Sequence, residues 1–117
     1  MKKSLTKAEI VRKREDLRSL FTSARQLSCK GVRMHVHATG LPNPRVVISP
    51  SRGFGNAVAR NYIRRIGKEI FRSIKSRIAP GYDVAFVMFP GEYTFQERQA
   101  QIDSLLVRAG IVIPEQN

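Results

Sequence analysis

Cysteine is nearly absent from this 117-residue chain: Cys29 stands alone, and tryptophan does not occur. A single cysteine excludes a disulfide within the chain and any zinc site built from several thiolates. No apolar stretch approaches the roughly 18–20 residues of a membrane span. The opening MKKSLTKAEI has lysines but lacks the apolar core of a signal peptide. We therefore expect a cytoplasmic protein without membrane association.

Acidic residues are also scarce. Nine Asp and Glu stand against 21 Lys and Arg, which gives a formal net charge of +12 at pH 7. Because self-repulsion of this excess destabilises a compact fold, the excess indicates a polyanionic partner, and nucleic acid is the foremost candidate. Residues 1–33 carry ten basic and three acidic side chains, residues 52–77 carry eight and one, and residues 78–117 carry two and five. Charge concentrated in this way is typical of a binding surface.

The first half of the chain is predicted to hold a helix and two strands. The segment from about residue 12 to Gly31 has apolar residues at helical spacing, namely Leu17, Leu20, Phe21, Ala24 and Leu27. VRMHVHA at 32–38 alternates strictly and predicts a half-buried strand. RVVIS at 45–49 predicts a second strand, which we expect to pair with the first as a hairpin. The pattern also allows a short strand around residues 51–54.

The second half is predicted to hold a long helix, a strand and a last helix. YDVAFVMF at 82–89 is a continuous apolar run and predicts a central strand buried on both faces. TFQE at 94–97 is a capping box that begins the last helix, and Gly110 ends it. The predicted order is α-β-β-(β)-α-β-α. A chain of this length suits one domain, residues 1–117, in which residues 1–9 are loose.

The long helix, taken as residues 59–78, separates two kinds of side chain. At 100° per residue, five isoleucines from Ile63 to Ile78 cluster on one side, where they would dock on a sheet. The other side presents one asparagine and six cations, namely Asn61, Arg60, Arg64, Arg65, Lys68, Arg72 and Lys75. Cations four residues apart lie about 6 Å apart at Cβ, close to the phosphate spacing of a nucleic-acid strand. An ordinary solvated helix face would mix Glu with Lys, and this one is nearly all cationic.

The stretch GNAVARNYIRRIGKEIFR at 55–72 resembles the signature of the bacterial ribonuclease P protein component. The shared features are a glycine–asparagine turn, an Arg-Asn pair and paired basic residues on a helix. The element order and the Asp16, Leu17 and Phe21 positions extend the resemblance over nearly the whole chain. It implies an α/β (α+β) two-layer sandwich that is ribosomal-protein-like, with a left-handed βαβ crossover that enters the basic helix.

The resemblance also implies a function. The family's protein is a subunit of the ribonuclease P holoenzyme, an endoribonuclease, and assists removal of the 5′ leader from precursor tRNA. Catalysis belongs to the RNA subunit and its Mg²⁺ ions, so the protein is expected to contain no catalytic residue, no metal site and no cofactor of its own. The expected partners are the catalytic RNA and the 5′ leader, with neither DNA nor a membrane.

Carried over position by position, the resemblance implies two sites. The first would face the catalytic RNA and comprises Arg52, Arg60, Asn61, Arg64, Arg65, Lys68 and Arg72. The second would line a cleft for the leader between the first helix and the sheet and comprises Leu17, Phe21, Arg33 and His35. A single-stranded leader suits a cleft in which bases stack on rings while cations bind phosphates.

Three positions depart from the family pattern. Tyr62 stands where a basic residue is usual, although the helical wheel places it away from the cationic arc. Gly53 stands where a second loop cation is common, which weakens that anion site. Leu17 replaces a usual aromatic residue of the cleft, so apolar contact would remain there without stacking.

Two other functions are compatible with the charge. A self-sufficient nuclease would need converging carboxylates for two metals, or a histidine with a partner, for which only His35 and His37 are present. The same two histidines have the spacing of a metal pair, but no third ligand lies nearby in sequence. A general RNA-binding or ribosomal protein would share the basic helix without needing the cleft. Dependence of cleavage on a partner RNA separates the three.

Overall fold

The computed structural model describes residues 5, 7–22 and 25–112. Three helices and four strands follow one another along the chain: α1 (Arg14–Phe21), β1 (Gln26–Cys29), β2 (Val32–Ala38), β3 (Arg45–Pro50), α2 (Ala57–Ile74), β4 (Tyr82–Met88) and α3 (Phe95–Ala109). Two short 3-10 turns, Lys7–Glu9 and Lys75–Arg77, precede α1 and follow α2. Residues 1–4 and 6 of the segment expected to be loose, residues 1–9, lie outside the described part of the chain.

The four strands form one mixed sheet in the order β1-β2-β4-β3. β2 pairs antiparallel with both β1 and β4, whereas β3 runs parallel to β4 at the other edge. The mixed α/β fold predicted from the sequence is therefore confirmed, as is the central, doubly buried strand β4. The parallel β3–α2–β4 crossover is present as well, and its left-handed sense stays a prediction.

The predicted hairpin between residues 32–38 and 45–49 is wrong. The hairpin partner of β2 is β1, and the two strands are joined by a tight turn at Lys30 and Gly31, where Gly31 adopts a φ of 86°. A positive φ favours glycine, so the residue that was expected to end a helix instead makes a strand turn. Strand β3 finds its hydrogen-bond partner in β4, more than thirty residues further along the chain.

The first helix is shorter than predicted, and the additional short strand forms at residues 26–29 rather than around residues 51–54. α1 ends at Phe21, where Thr22 Oγ1 donates a hydrogen bond to the Arg18 carbonyl at 2.7 Å. Residues 26–29, expected to be helical, form β1, whereas residues 51–54 form a turn closed by the Phe54 N–H on the Ser51 carbonyl. Pairing with β2 outweighs the local helical spacing at Leu27, since tertiary context overrides weak propensity.

The sheet carries helices on both faces. On one face, α2 and α3 bury the main core against side chains of all three longer strands, among them Val32, Met34, Ile48, Val84 and Phe86. On the other face, α1 packs through Leu20 against Ala85, with Leu17, Phe21 and Val47 partly buried around them. Successive strand residues point to opposite faces, which is why Val47 and Ile48 belong to different clusters.

Helix α2 is positioned by its cap and by its apolar side. Asn56 Oδ1 accepts a hydrogen bond from the Ala59 N–H at 2.9 Å and so begins the helix. The isoleucines at 63, 66, 70 and 74 are buried along α2, as predicted. Ile78 is buried too, but the helix predicted over residues 59–78 ends at Ile74, and Ile78 follows the 3-10 turn Lys75–Arg77. Gly67 is buried among them, and a Cβ there would lie 2.7 Å from Ile48 Cγ2. The helix therefore lies close against β3, and its opposite side must face solvent.

The last helix has the ends predicted for it. Thr94 and Glu97 form the reciprocal capping box, and Gly110 adopts a left-handed φ of 74° at the other end.

Among the described residues, no helix has both the length and the apolar character needed to cross a membrane.

Candidate nucleic-acid interface

The outward side of α2 carries a continuous cationic surface. Asn61, Arg65 and Lys68 are exposed, while Arg64 and Arg72 are partly exposed, and together they line one shallow concavity. We call these five residues the basic face of α2. Their placement follows from the buried isoleucines, because fixing one side of a helix against the sheet fixes the other side in solvent.

Acidic side chains compensate little of this charge. Glu69 also lines the concavity and lies 3.7 Å from Arg72, with both groups partly exposed. In the part of the chain that the structure describes, no acidic side chain is within ion-pair distance of Arg64, Arg65 or Lys68. The Arg64 guanidinium instead donates to Asn61 Oδ1 at 3.1 Å. Three uncompensated cations within two turns attract an anion strongly.

Three other cations, Arg52, Arg60 and Lys75, lie outside the basic face of α2. Arg60 donates to the Ser51 carbonyl at 3.1 Å and so ties the loop before α2 to the helix. Arg52 is exposed in that loop. Lys75, which the helical wheel placed in the cationic arc, pairs with Glu9 at 2.8 Å. The N-terminal segment therefore neutralises the far end of the arc, and the basic face is confined to the region from Asn61 to Arg72.

A second surface lies where α1 meets the opposite face of the sheet. The register aligns His35, Ala85 and Val47 in one row across β2, β4 and β3, and α1 packs on this row. The Phe21 ring meets the His35 imidazole edge to face, with centroids 5.1 Å apart. The structure thus brings Leu17, Phe21 and His35 together beneath α1. We call this region, with Arg33, the α1 cleft, after the site that the resemblance implies.

Arg33 extends the α1 cleft along β2. It lies two residues before His35 on the same strand face, in a row with Val87 and Ser49. Its guanidinium carbon lies 5.6 Å from the centroid of the Phe89 ring, which holds the cation against the sheet. Arg33 Nε has no hydrogen-bond partner among the described residues. Nε is itself buried, so one donor of this guanidinium is left unsatisfied within the described residues.

His35 is a buried polar group without an internal partner. It is 5% exposed, and neither ring nitrogen is hydrogen-bonded within the described residues. Burial lowers the pKa of His35, and the nearby Arg33 charge lowers it further. The imidazole is therefore neutral at pH 7 and offers one donor and one acceptor. Buried polar groups are normally paired, so His35 is the group of the α1 cleft most in need of a partner.

A buried ion pair between β3 and β4 extends to α1 at this face. Arg45 binds Asp83 in a bidentate manner, at 2.8 and 2.7 Å, and also lies 3.4 Å from Asp16 of α1. Hydrogen bonding to Asp83, the largest effect, raises the pKa of Arg45. Asp16 immediately precedes Leu17, so this longer contact links α1 to the strands beneath it.

The described residues contain no cluster of three or more His, Cys, Asp or Glu side chains able to hold a metal ion.

One feature of the surface was not predicted from the sequence. Four aromatic rings, Phe54, Tyr62, Tyr93 and Phe95, line a common cavity beside the basic face. They are spread over forty residues without periodicity, and only the turn before α3 brings them to α2.

A mixed α/β domain that combines a cationic helix face with aromatic rings beside it is typical of nucleic-acid-binding proteins. Comparison with known proteins identifies the family within this class. The sequence profile of the family described as Ribonuclease P matches residues 5–110. The Ribonuclease P protein component of Clostridioides difficile (strain 630) is 30% identical over 106 residues, covering 88% of this chain and 93% of that protein.

Solved structures agree in fold. The RNase P protein from Thermotoga maritima superposes with a TM-score of 0.76 at 26% identity, covering 86% of this chain and 96% of that one. A Staphylococcus aureus RNase P protein mutant with defective mRNA degradation activity reaches a TM-score of 0.81 at 24% identity, covering 90% and 91%. The chain belongs to the ribonuclease P protein component family of bacterial type, whose members partner ribonuclease P RNA.

Proposed function

We propose that the chain binds the catalytic RNA of ribonuclease P through α2 and the 5′ leader of precursor tRNA through the α1 cleft. It would thereby assist endonucleolytic removal of the leader in the cytoplasm. The observation that carries the proposal is the basic face of α2, with three cations that no described acid compensates. The residues assigned to the catalytic RNA are Arg52, Arg60, Asn61, Arg64, Arg65, Lys68 and Arg72.

The assigned residues divide into direct and supporting roles. Arg64, Arg65 and Lys68 are available to grip phosphates, since a guanidinium can bind a phosphate oxygen pair bidentately. Asn61 supplies a neutral amide for a base edge or a 2′-hydroxyl. Arg60 is already engaged with the Ser51 carbonyl, so it would position the loop that carries Arg52.

The α1 cleft supports the leader assignment through its chemistry. Phe21 provides a ring, Leu17 an apolar contact, Arg33 a cation and His35 a neutral donor and acceptor. A single strand needs this combination of stacking surface and positive charge. Because the pKa of His35 is lowered, its contribution to leader binding would be a hydrogen bond rather than charge.

The protein's contribution would be electrostatic and positional, with the chemistry left to the RNA subunit and its Mg²⁺ ions. Several acidic side chains already have structural roles. Asp83 is 2% exposed and bound to Arg45, Glu9 pairs with Lys75, and Glu97 closes the capping box. These carboxylates are dispersed over the fold, whereas metal-assisted hydrolysis by a protein needs them to converge.

Precursor-tRNA cleavage at low Mg²⁺ tests the proposal. The arms are the protein alone, the ribonuclease P RNA of C. difficile alone, and both together. Cleavage that requires both supports a subunit of the holoenzyme. Cleavage by the protein alone, abolished in His35→Ala, would instead make it a nuclease. RNA binding with no effect on cleavage would leave a general RNA-binding protein.

Substitutions separate the two sites. Arg64→Ala and Lys68→Ala should weaken assembly with the RNA and flatten the plot of log K against log salt by roughly 0.7–0.9 per lost phosphate contact. Phe21→Ala should weaken binding of precursor tRNA by the holoenzyme while assembly is unchanged. Val107→Ala, at an exposed apolar position of α3, is the matched control. An unchanged salt slope, or an equal loss for leaderless tRNA in Phe21→Ala, would contradict the respective assignment.

A further inference from the structure

A small aromatic cavity adjoins the basic face of α2. It has a volume of about 190 Å³ and lies between the first half of α2 and the segment that leads into α3. Its walls are Phe54, Tyr62, Tyr93 and Phe95, and Ile63 and Ile66 contribute apolar surface below them. Four of the nine Phe and Tyr residues of the chain therefore meet at one place. The cavity is smaller than the roughly 300–1,000 Å³ of sites for drug-sized ligands, so it suits one ring system.

One wall of this aromatic cavity is built rigidly. The guanidinium carbon of Arg98 lies 4.5 Å from the centroid of the Tyr93 ring, and Arg98 itself is only 3% exposed. Its guanidinium donates to the Gly31 and Phe89 carbonyls at 2.9 and 2.6 Å. A Cβ at Gly31 would lie 2.9 Å from the Tyr93 ring, and one at Gly91 would clash with the same ring. Two glycines and a buried cation thus hold Tyr93 in place.

The other wall remains open to solvent. Tyr62 is 54% exposed and Phe95 is 36% exposed, although both are large rings that gain stability by burial. Exposed apolar side chains clustered at a concave site mark a binding surface more often than isolated ones do. Arg65 of the basic face lies with its guanidinium carbon 5.3 Å from the centroid of the Tyr62 ring. The aromatic cavity and the basic face of α2 are therefore continuous.

We propose that the aromatic cavity receives a single unpaired base of the RNA that binds the basic face of α2. The inference rests on the proposed function and adds to it a site for a base where that function assigns phosphate contacts. The charges around the cavity favour this occupant. Arg98 is the charged side chain among its lining residues, and Arg65 stands at its rim, where it can bind the phosphate of the same nucleotide. Stacked rings tolerate any base, so the site selects unpaired nucleotides rather than a sequence.

Equilibrium binding to the C. difficile ribonuclease P RNA over a series of salt concentrations tests the proposal. Tyr62→Ala and Phe95→Ala should each weaken binding by roughly 5- to 100-fold, the effect of one stacked base. Because no charge is lost, the slope of log K against log salt should stay that of the wild type. Tyr62→Phe should bind within about twofold of wild type, since the ring and not the hydroxyl stacks. Val107→Ala again serves as the control.

Chemical probing of the bound RNA supplies a second readout. Dimethyl sulfate should modify at least one unpaired adenine or cytosine more strongly with Phe95→Ala than with wild-type protein, both at saturation. Phe95 does not contact Arg65 in the manner of Tyr62, so its loss reports the cavity alone. Wild-type affinity in both alanine variants, or a flattened slope in Phe95→Ala, would overturn the cavity assignment. Absence of salt-dependent RNA binding by the wild-type protein would instead refute the proposed function itself.

Discussion

Replacing Arg45 by methionine tests the buried ion pair that joins β3 to β4. Arg45 makes two hydrogen bonds to Asp83, whose carboxylate is only 2% exposed, at 2.8 and 2.7 Å. Methionine keeps the apolar stem but leaves that carboxylate buried without its cation. Removing one partner of a buried ion pair costs about 3–5 kcal/mol. We expect a loss of this size in the free energy of unfolding, a large part of the roughly 5–15 kcal/mol typical of a domain.

Asp16→Asn is the matched control for this prediction. Asp16 lies 3.4 Å from the same guanidinium, but its side chain is 35% exposed, so solvent screens the attraction. Exposed ion pairs contribute about 0–1 kcal/mol, and Asp16→Asn should lie in that range. Urea unfolding followed by far-ultraviolet circular dichroism measures both variants. A loss below about 1 kcal/mol in Arg45→Met, or equal losses in the two variants, would refute the assignment of the stabilisation to the buried pair.

Three further outcomes are expected. Burial lowers the pKa of His35, so near pH 6.5 the unfolded chain takes up a proton that the folded chain does not. The free energy of unfolding should therefore fall as the pH drops below about 6.5. His35→Gln should reduce that pH dependence in urea unfolding, and an unchanged profile would contradict it. Gly67→Val should cost about 1–3 kcal/mol because even the Cβ of the new side chain would lie 2.7 Å from Ile48 Cγ2. Gly110→Ala should cost roughly 1–2 kcal/mol, since its φ of 74° is left-handed while no atom crowds the site, and thermal unfolding measures both.

Helix α2 and strand β4 were predictable because their signals are local and strong. Four isoleucines at helical spacing, Ile63, Ile66, Ile70 and Ile74, fix one side of α2, and the basic face follows from geometry alone. The apolar run of β4 has the length of a strand and lies between turns. The capping box of Thr94 and Glu97 specifies a helix start through two named hydrogen bonds. In each case one segment of sequence contains the whole physical reason for the element.

Strand β1 and the aromatic cavity were not predictable from local sequence. Leu27 fits a helical pattern, and only the ladder with β2 makes residues 26–29 a strand. β3 was placed on the wrong partner because its true neighbour, β4, lies beyond the whole of α2. The cavity joins a loop, a helix and the turn before α3, so no spacing rule relates Phe54 to Phe95. These features depend on pairings that are distant in sequence, which single-sequence periodicity does not record.

The sheet itself relates the two proposed RNA sites to each other. Adjacent residues of β3 serve opposite faces: Ile48 lies under Gly67 of α2, and Val47 packs in the cluster beneath α1. A register shift of one residue would exchange them and move both helices, so the β3–β4 pairing fixes the α1 cleft relative to the basic face. On the proposed function, this rigid relation sets the distance between the catalytic RNA and the leader. A substitution that weakens one site without disturbing β3 should therefore leave the other site's affinity unchanged, whereas Gly67→Val should impair both.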